Sequence, residues 1–73
     1  MRAIIRDAAD LGRAIAEARR SSGFTQQQLA DELGFDRTYL ARMEVGESVR
    51  MFDRSMAVLR KLGAKVEIEF ADG

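Results

Sequence analysis

The run from Thr25 to Gly46, TQQQLADELGFDRTYLARMEVG, leaves the chain few ways to fold. Thr25 is a good N-cap residue, and Gln28 can answer it in a capping box. Leu29, Ala30 and Leu33 then fall on one helical face. Gly34 can adopt the left-handed conformation that stops a helix, and Asp36 is the next N-cap. Leu40 and Met43 stand three residues apart on the helix that follows. A link this short between two amphipathic helices permits only a close, angled pair, the geometry of a helix-turn-helix.

The residue types agree with that geometry. Ala30 is small where the second helix must cross. Leu29, Leu33, Phe35, Leu40 and Met43 are apolar where the pair would share a core. Arg37, Thr38, Tyr39 and Arg42 are left at the start and on the outer face of the second helix, the one such a motif places in the DNA major groove. An arginine there can give guanine a bidentate pair of hydrogen bonds, worth about 1–3 kcal/mol of discrimination. Gln26, at the first turn of the preceding helix, is expected to meet a phosphate, because helix N-termini favour anions. An ordinary helical hairpin with a solvated face would explain the leucine spacing, but not the whole set around Gly34.

The flanking segments can be taken in order. Arg2 to Ile5 is a frayed end or a short strand. Asp7 caps a helix expected to run to about Arg20 or Ser22, with Ala8, Leu11, Ile15 and Ala18 inward and Arg13 paired with Glu17. Gly23 ends it, and Phe24 is set to staple against Leu29. After Gly46, Glu47 and Ser48 form a turn, Ser48 is a candidate cap, and a helix follows from Val49 to Leu62 with a possible break near Asp53. Its stripe of Met51, Phe52, Ser55, Met56, Leu59 and Leu62 reads as core and dimer face. Arg50, at its start, is a candidate for a second phosphate contact. Beyond Gly63, residues 65–70 alternate polar and apolar, which predicts a strand burying Val66, Ile68 and Phe70. A strand needs a partner. It finds one in residues 2–5 or in the same strand of a second copy; the second option is the main expectation, with residues 64–70 as a dimerisation element.

Composition bounds the function. The chain has 73 residues, too few to bury a large core, and reads as one domain over 1–73. It has no cysteine and no histidine, so neither disulfides nor a Cys/His zinc site can staple it. Dimerisation is the remaining source of buried area. The missing cysteines suit a cytoplasmic setting, and no apolar run approaches a membrane span. Without histidine there is no Cys–His or Ser–His–Asp nucleophile. Neither phosphate-binding glycine loop is present, and the carboxylates show no metal-loop spacing. No enzyme and no cofactor are expected. Net charge is zero, with 12 basic and 12 acidic residues, which counts against nucleic-acid binding by the chain as a whole. A local basic face, doubled by two-fold symmetry, would offset that.

The segment RRSSGFTQQQLADELGFDRTYLARMEVGE resembles the Xre/Cro helix-turn-helix family of phage-repressor-type regulators, through Gly23, Thr25, Gln26, Leu29, Ala30, Gly34, Glu44 and Gly46. The resemblance implies an all-α, lambda-repressor-like bundle of four to five helices, to which the alternation of residues 65–70 adds a short C-terminal β-strand expected to pair across a dimer. It implies that Gln26 contacts phosphate, that Arg37, Thr38 and Arg42 read bases with Tyr39 beside them, and that Arg19 and Glu44 form a salt bridge tying the first helix to the recognition helix. The segment LGAKVEIEF is similar to HipB-type antitoxins. That likeness implies a homodimer that represses its own operator, a double-stranded DNA, and neutralises a HipA-like serine/threonine kinase toxin. The chain would then be cytoplasmic, and on the nucleoid when bound to its operator. The rival readings are a phage-type regulator without a toxin and a protein-sequestering module that does not touch DNA.

Overall fold

A computed structural model describes residues 2–47 and 50–71. The elements run β1 (Arg2–Ile5), α1 (Ala8–Ser21), α2 (Gln26–Leu33), α3 (Arg37–Glu44), α4 (Arg50–Lys61) and β2 (Val66–Glu69). The caps fall where the sequence places them. Asp7 accepts from the backbone N–H of Asp10, Thr25 and Gln28 form a reciprocal capping box, and Asp36 accepts from the N–H of Thr38. Each of the four described helices ends on the same pair of turn hydrogen bonds around a glycine; at α3 the N–H of Gly46 donates to the carbonyl of Met43 and that of Glu47 to Arg42. The expected cap at Ser48 and helix start at Val49 lie outside the described residues. From Arg50 onward α4 is unbroken past Asp53.

The helix α1 lies at the centre. Two faces of it are buried, not the single face expected from Ala8, Leu11, Ile15 and Ala18. Gly12 and Ala16, one turn apart, form a flat strip, and α3 crosses over Gly12. The contact is backbone to backbone: a Cβ on Gly12 would stand 2.5 Å from the Met43 carbonyl oxygen and 2.6 Å from that of Glu44. Gly46 makes a similar approach to Ala9, 2.7 Å from a built Cβ to that Cα, at a φ of +88°. On the other side of α1, Ala14 joins Ile5 and Met56 in a second core, with Leu11, Phe52, Leu59, Val66, Ile68 and Phe70 packed around it.

The partner of β2 is β1 of the same chain. The two strands are antiparallel, with Arg2 opposite Glu69, Ala3 opposite Ile68, Ile4 opposite Glu67 and Ile5 opposite Val66. Residues 2–5 thus supply the partner within the chain, the other of the two options that the alternation left open. Val66, Ile68 and Phe70, assigned to a dimer face, are half-buried against their own core. The reason is register: Ile5 is fully enclosed between the sheet and α1, and β2 in this pairing lays its apolar residues on the same side. Other side chains also depart from the expected pattern. The stripe expected on α4 is split: Phe52, Met56 and Leu59 face the core, whereas Met51, Ser55 and, past the helix end, Leu62 are exposed, as is Val58. Leu33 and Phe35 are exposed as well, since the helix pair is sealed by Ala30 and Leu40. Arg13 pairs with Asp10 and not with Glu17; Asp10 is buried and also takes the backbone N–H and side chain of Arg6.

Gly12→Ala tests the central crossing. The added methyl group improves helix propensity by up to about 1 kcal/mol, but forcing a backbone crossing apart costs about 1–3 kcal/mol. The variant is expected to melt at lower temperature than the parent. An unchanged or higher melting temperature would show that α3 does not sit on Gly12.

Candidate nucleic-acid interface

Three residues separate α2 from α3, and Gly34 spans the turn at a φ of +74°. The N–H of Phe35 reaches back to the Ala30 carbonyl at 2.8 Å, which folds the chain sharply enough for α3 to cross α2 over fully buried Ala30. Leu40 faces inward at the same crossing. With Leu40 and Glu44 buried, the opposite side of α3 is left to solvent. Thr38 and Arg42 are exposed one turn apart, Arg37 is exposed at the first helical position, and Tyr39 is exposed beside them with its ring edge-on to Phe35 at 5.7 Å. Val45 continues the stripe of Thr38 and Arg42 at helical spacing and is 76% exposed. It is absent from the expected site because a valine at a helix end reads from sequence as core.

A charged network fixes α3 to the rest of the chain. Arg19 donates from Nε to Glu44 Oε2 at 2.7 Å and from Nη2 to Oε1 at 3.0 Å, while its Nη1 donates to the Phe24 carbonyl at 2.8 Å. Both side chains are nearly enclosed. This is the pair that the family likeness implies, and it joins α1, the α1–α2 turn and α3 through one guanidinium. The hydrogen bonds from Arg19 hold the Glu44 carboxyl below the usual glutamate range, against the opposing effect of burial and with help from Gln26.

Gln26 is engaged within the chain. Its Nε2 donates to Glu44 Oε1 at 3.0 Å, and its Oε1 accepts from Arg37 Nη1 at 3.3 Å. The amide therefore bridges the buried pair to the first residue of α3. Around it is a shallow cleft of about 640 Å³, lined by Arg19, Arg20, Thr25, Gln26, Gln27 and Arg37 among others. Two exposed arginines and the free N–H groups at the start of α2 give that cleft the chemistry of an anion site. Arg20 is not among the site residues expected from sequence. What points to it is its place just before Gly23, where the chain turns back to begin α2. Arg50 stands exposed at the first position of α4, and no described contact joins it to Gln26, Arg37 or Arg42.

Arg42 is engaged too. Its Nε donates to Glu47 Oε2 at 2.6 Å and its Nη2 to Oε1 at 2.9 Å, and this pairing lowers the Glu47 carboxyl below its ordinary range. Among the described residues no group of carboxylates is placed to hold a metal ion, and no helix is long and apolar enough to cross a membrane.

Residues 10–67, most of the chain, match the helix-turn-helix domain family. The chain belongs to that family, of the Xre/Cro-like kind, and is by class a DNA-binding regulator. No curated protein and no solved structure matches it.

The Arg19–Glu44 pair gives a pH-dependent prediction. Because folding lowers the pKa of Glu44, its contribution is complete above the ordinary glutamate value of about 4.3 and is lost as pH falls through the lower folded value. Glu44→Ala leaves Arg19 enclosed and unpaired, a change that costs about 3 kcal/mol. At neutral pH the variant should melt well below the parent, and the gap should narrow once the pH drops below about 4. A gap that stays constant through that acid range would rule out the assigned role of the pair.

Proposed function

We propose that this chain is a sequence-specific transcriptional repressor that binds operator DNA as a homodimer, with one α3 in each of two major grooves about one helical turn apart. The observation that carries the reading is the contrast between the two sides of α3. One side is fixed by Arg19, Glu44 and the Gly12 crossing, and the other presents Arg37, Thr38 and Arg42 to solvent. A rigid helix with an exposed arginine-rich edge is what base readout requires. In this reading Arg37, Thr38 and Arg42 face bases, while Tyr39 and Arg50 lie near the phosphates. Arg20 and the start of α2 hold a phosphate that Gln26 orients through Arg37.

The dimer is supported by the small size of the core and by the uncovered apolar residues Met51 and Val58 on α4 and Leu62 just past its end. In the two-stranded sheet each strand keeps one unpaired edge, so β2 can also pair with a second copy without giving up β1. The likeness of LGAKVEIEF to HipB-type antitoxins supports a second role for the repressor, as antitoxin of a HipA-like serine/threonine kinase toxin. Co-purification with the product of an adjacent reading frame would test that role without bearing on DNA binding.

Gel shifts over a salt series test the main reading. The parent should bind its own upstream region with a steep salt dependence. Arg42→Ala should relax the base preference at one position per half-site, whereas Gln26→Ala should weaken binding evenly across sequences. If both variants bind like the parent, α3 is not the reading helix. A parent that ignores DNA even in dilute salt leaves only the protein-sequestering alternative.

A further inference from the structure

The ion pair between Arg42 and Glu47 is unusual in its placement. Most exposed pairs of this kind contribute little to stability, and this one is open to solvent, with side-chain exposures of 61% and 55%. Yet the backbone is arranged to create it. Glu47 follows the left-handed glycine that ends α3, and its N–H donates to the Arg42 carbonyl at 3.0 Å, which returns the chain over the last turn of the helix. Gly46 is fixed in that conformation by its φ and by its approach to Ala9. The side chain of Glu47 is thus delivered to Arg42 by a turn that the packing of α1 on α3 already determines.

The geometry of the pair matters more than its strength. A guanidinium is planar, and its N–H groups point along distinct edges. Glu47 takes the side edge, formed by Nε and Nη2. The end edge, formed by Nη1 and the second N–H of Nη2, has no hydrogen-bond partner among the described residues. That end edge is a fork of two parallel donors, the shape that matches O6 and N7 of guanine. Without a carboxylate on its side, an exposed arginine turns about its last torsions and offers either edge, or a single donor, to several acceptors. With the side edge held, one fork remains, and fewer side-chain degrees of freedom have to be frozen when it meets a base.

We propose that Glu47 is a positioning residue that locks the guanidinium of Arg42 with its end edge outward, and so makes it a reader of guanine. This inference rests on α3 being the recognition helix. It adds an acidic residue outside that helix as a determinant of specificity. The charge of Glu47 works against affinity in general, because a carboxylate close to the DNA repels phosphates; the pair exchanges some non-specific binding for discrimination.

Selection from a pool of duplexes with a randomised central stretch, read by sequencing of the bound fraction, tests the proposal on the full chain. The variants are Arg42→Ala, Glu47→Ala and Glu47→Asp, each checked by thermal melting, which should stay near that of the parent because the pair is exposed. The parent should enrich a two-fold motif with a guanine at one position per half-site that Arg42→Ala flattens. Glu47→Ala should lower the guanine preference at that same position by about tenfold, leave the other positions intact and bind unrelated duplex more tightly. Glu47→Asp should retain more of the preference than Glu47→Ala. The proposal is overturned if Glu47→Ala keeps or sharpens the preference, since Glu47 would then only compete with DNA for Arg42. It is equally overturned if all positions weaken evenly, or if Arg42→Ala leaves a clear parental motif unchanged. A parent that enriches no motif at all sinks instead the reading of the chain as a sequence-specific repressor.

Discussion

The architecture depends on how tightly α3 is held against α1. Two features act at that contact: the close backbone approach over Gly12 and the enclosed pair of Arg19 with Glu44. Each constrains a different coordinate. The glycine sets how close the helices come, since no side chain intervenes. The ion pair sets how α3 is rotated and how far it slides, because a bidentate contact tolerates little displacement. In the proposed reading α3 has to satisfy both, as a small shift at its base would move every exposed side chain relative to the groove. The charged pair is better understood as a device for orientation than as a source of stability, because desolvation offsets much of its attraction.

From that contact the network extends outward in steps. Arg19 holds Glu44, Glu44 holds Gln26, and Gln26 meets Arg37 at the rim of the helix. Burial falls along the series, from the enclosed pair to a half-buried amide to an exposed guanidinium. The order has a physical logic. The charges most costly to leave unpaired lie deepest and are fully satisfied, and the donor left nearest to solvent keeps N–H groups to spare. The zero net charge of the chain is consistent with such a face, because Arg20 and Arg37 line one cleft together with Arg19, whose charge Glu44 balances. Local concentration of one sign, not the total, determines what an anion encounters.

Much of this was legible in the residues because the signals were local. Caps at Asp7, Thr25 and Asp36, glycine stops at Gly23, Gly34 and Gly63, and the alternation of residues 65–70 each depend on a few neighbours, and each element falls where those neighbours place it. What was not legible depends on residues far apart in sequence. Gly12 inside a helix reads as a weak spot until α3 lies on it. The alternation in β2 specifies a strand and its buried face, but not which chain supplies the partner; β1 is only four residues long and gives little signal of its own. Met51 on α4 and Leu62 just past its end stand about a quarter turn round from the core residues, and periodicity cannot tell an inward stripe from an adjoining one that is left uncovered. Arg13 had acidic neighbours on both sides, and the choice of Asp10 follows from a burial that only the folded chain defines.

The pairing of β1 with β2 has a kinetic side. Ile5 lies opposite Val66, so the two strands close almost the entire chain into one loop, whereas the helices and the turn between α2 and α3 involve neighbours only. Closing a long loop is entropically slow compared with forming helical hairpins. The α1–α2–α3 unit can therefore assemble early, with the sheet and α4 joining afterwards to cover the far side of α1. Cooperativity between the two halves then passes through α1, where Ala14 and Gly12 lie on opposite faces of one helix and link the order of each core to the other.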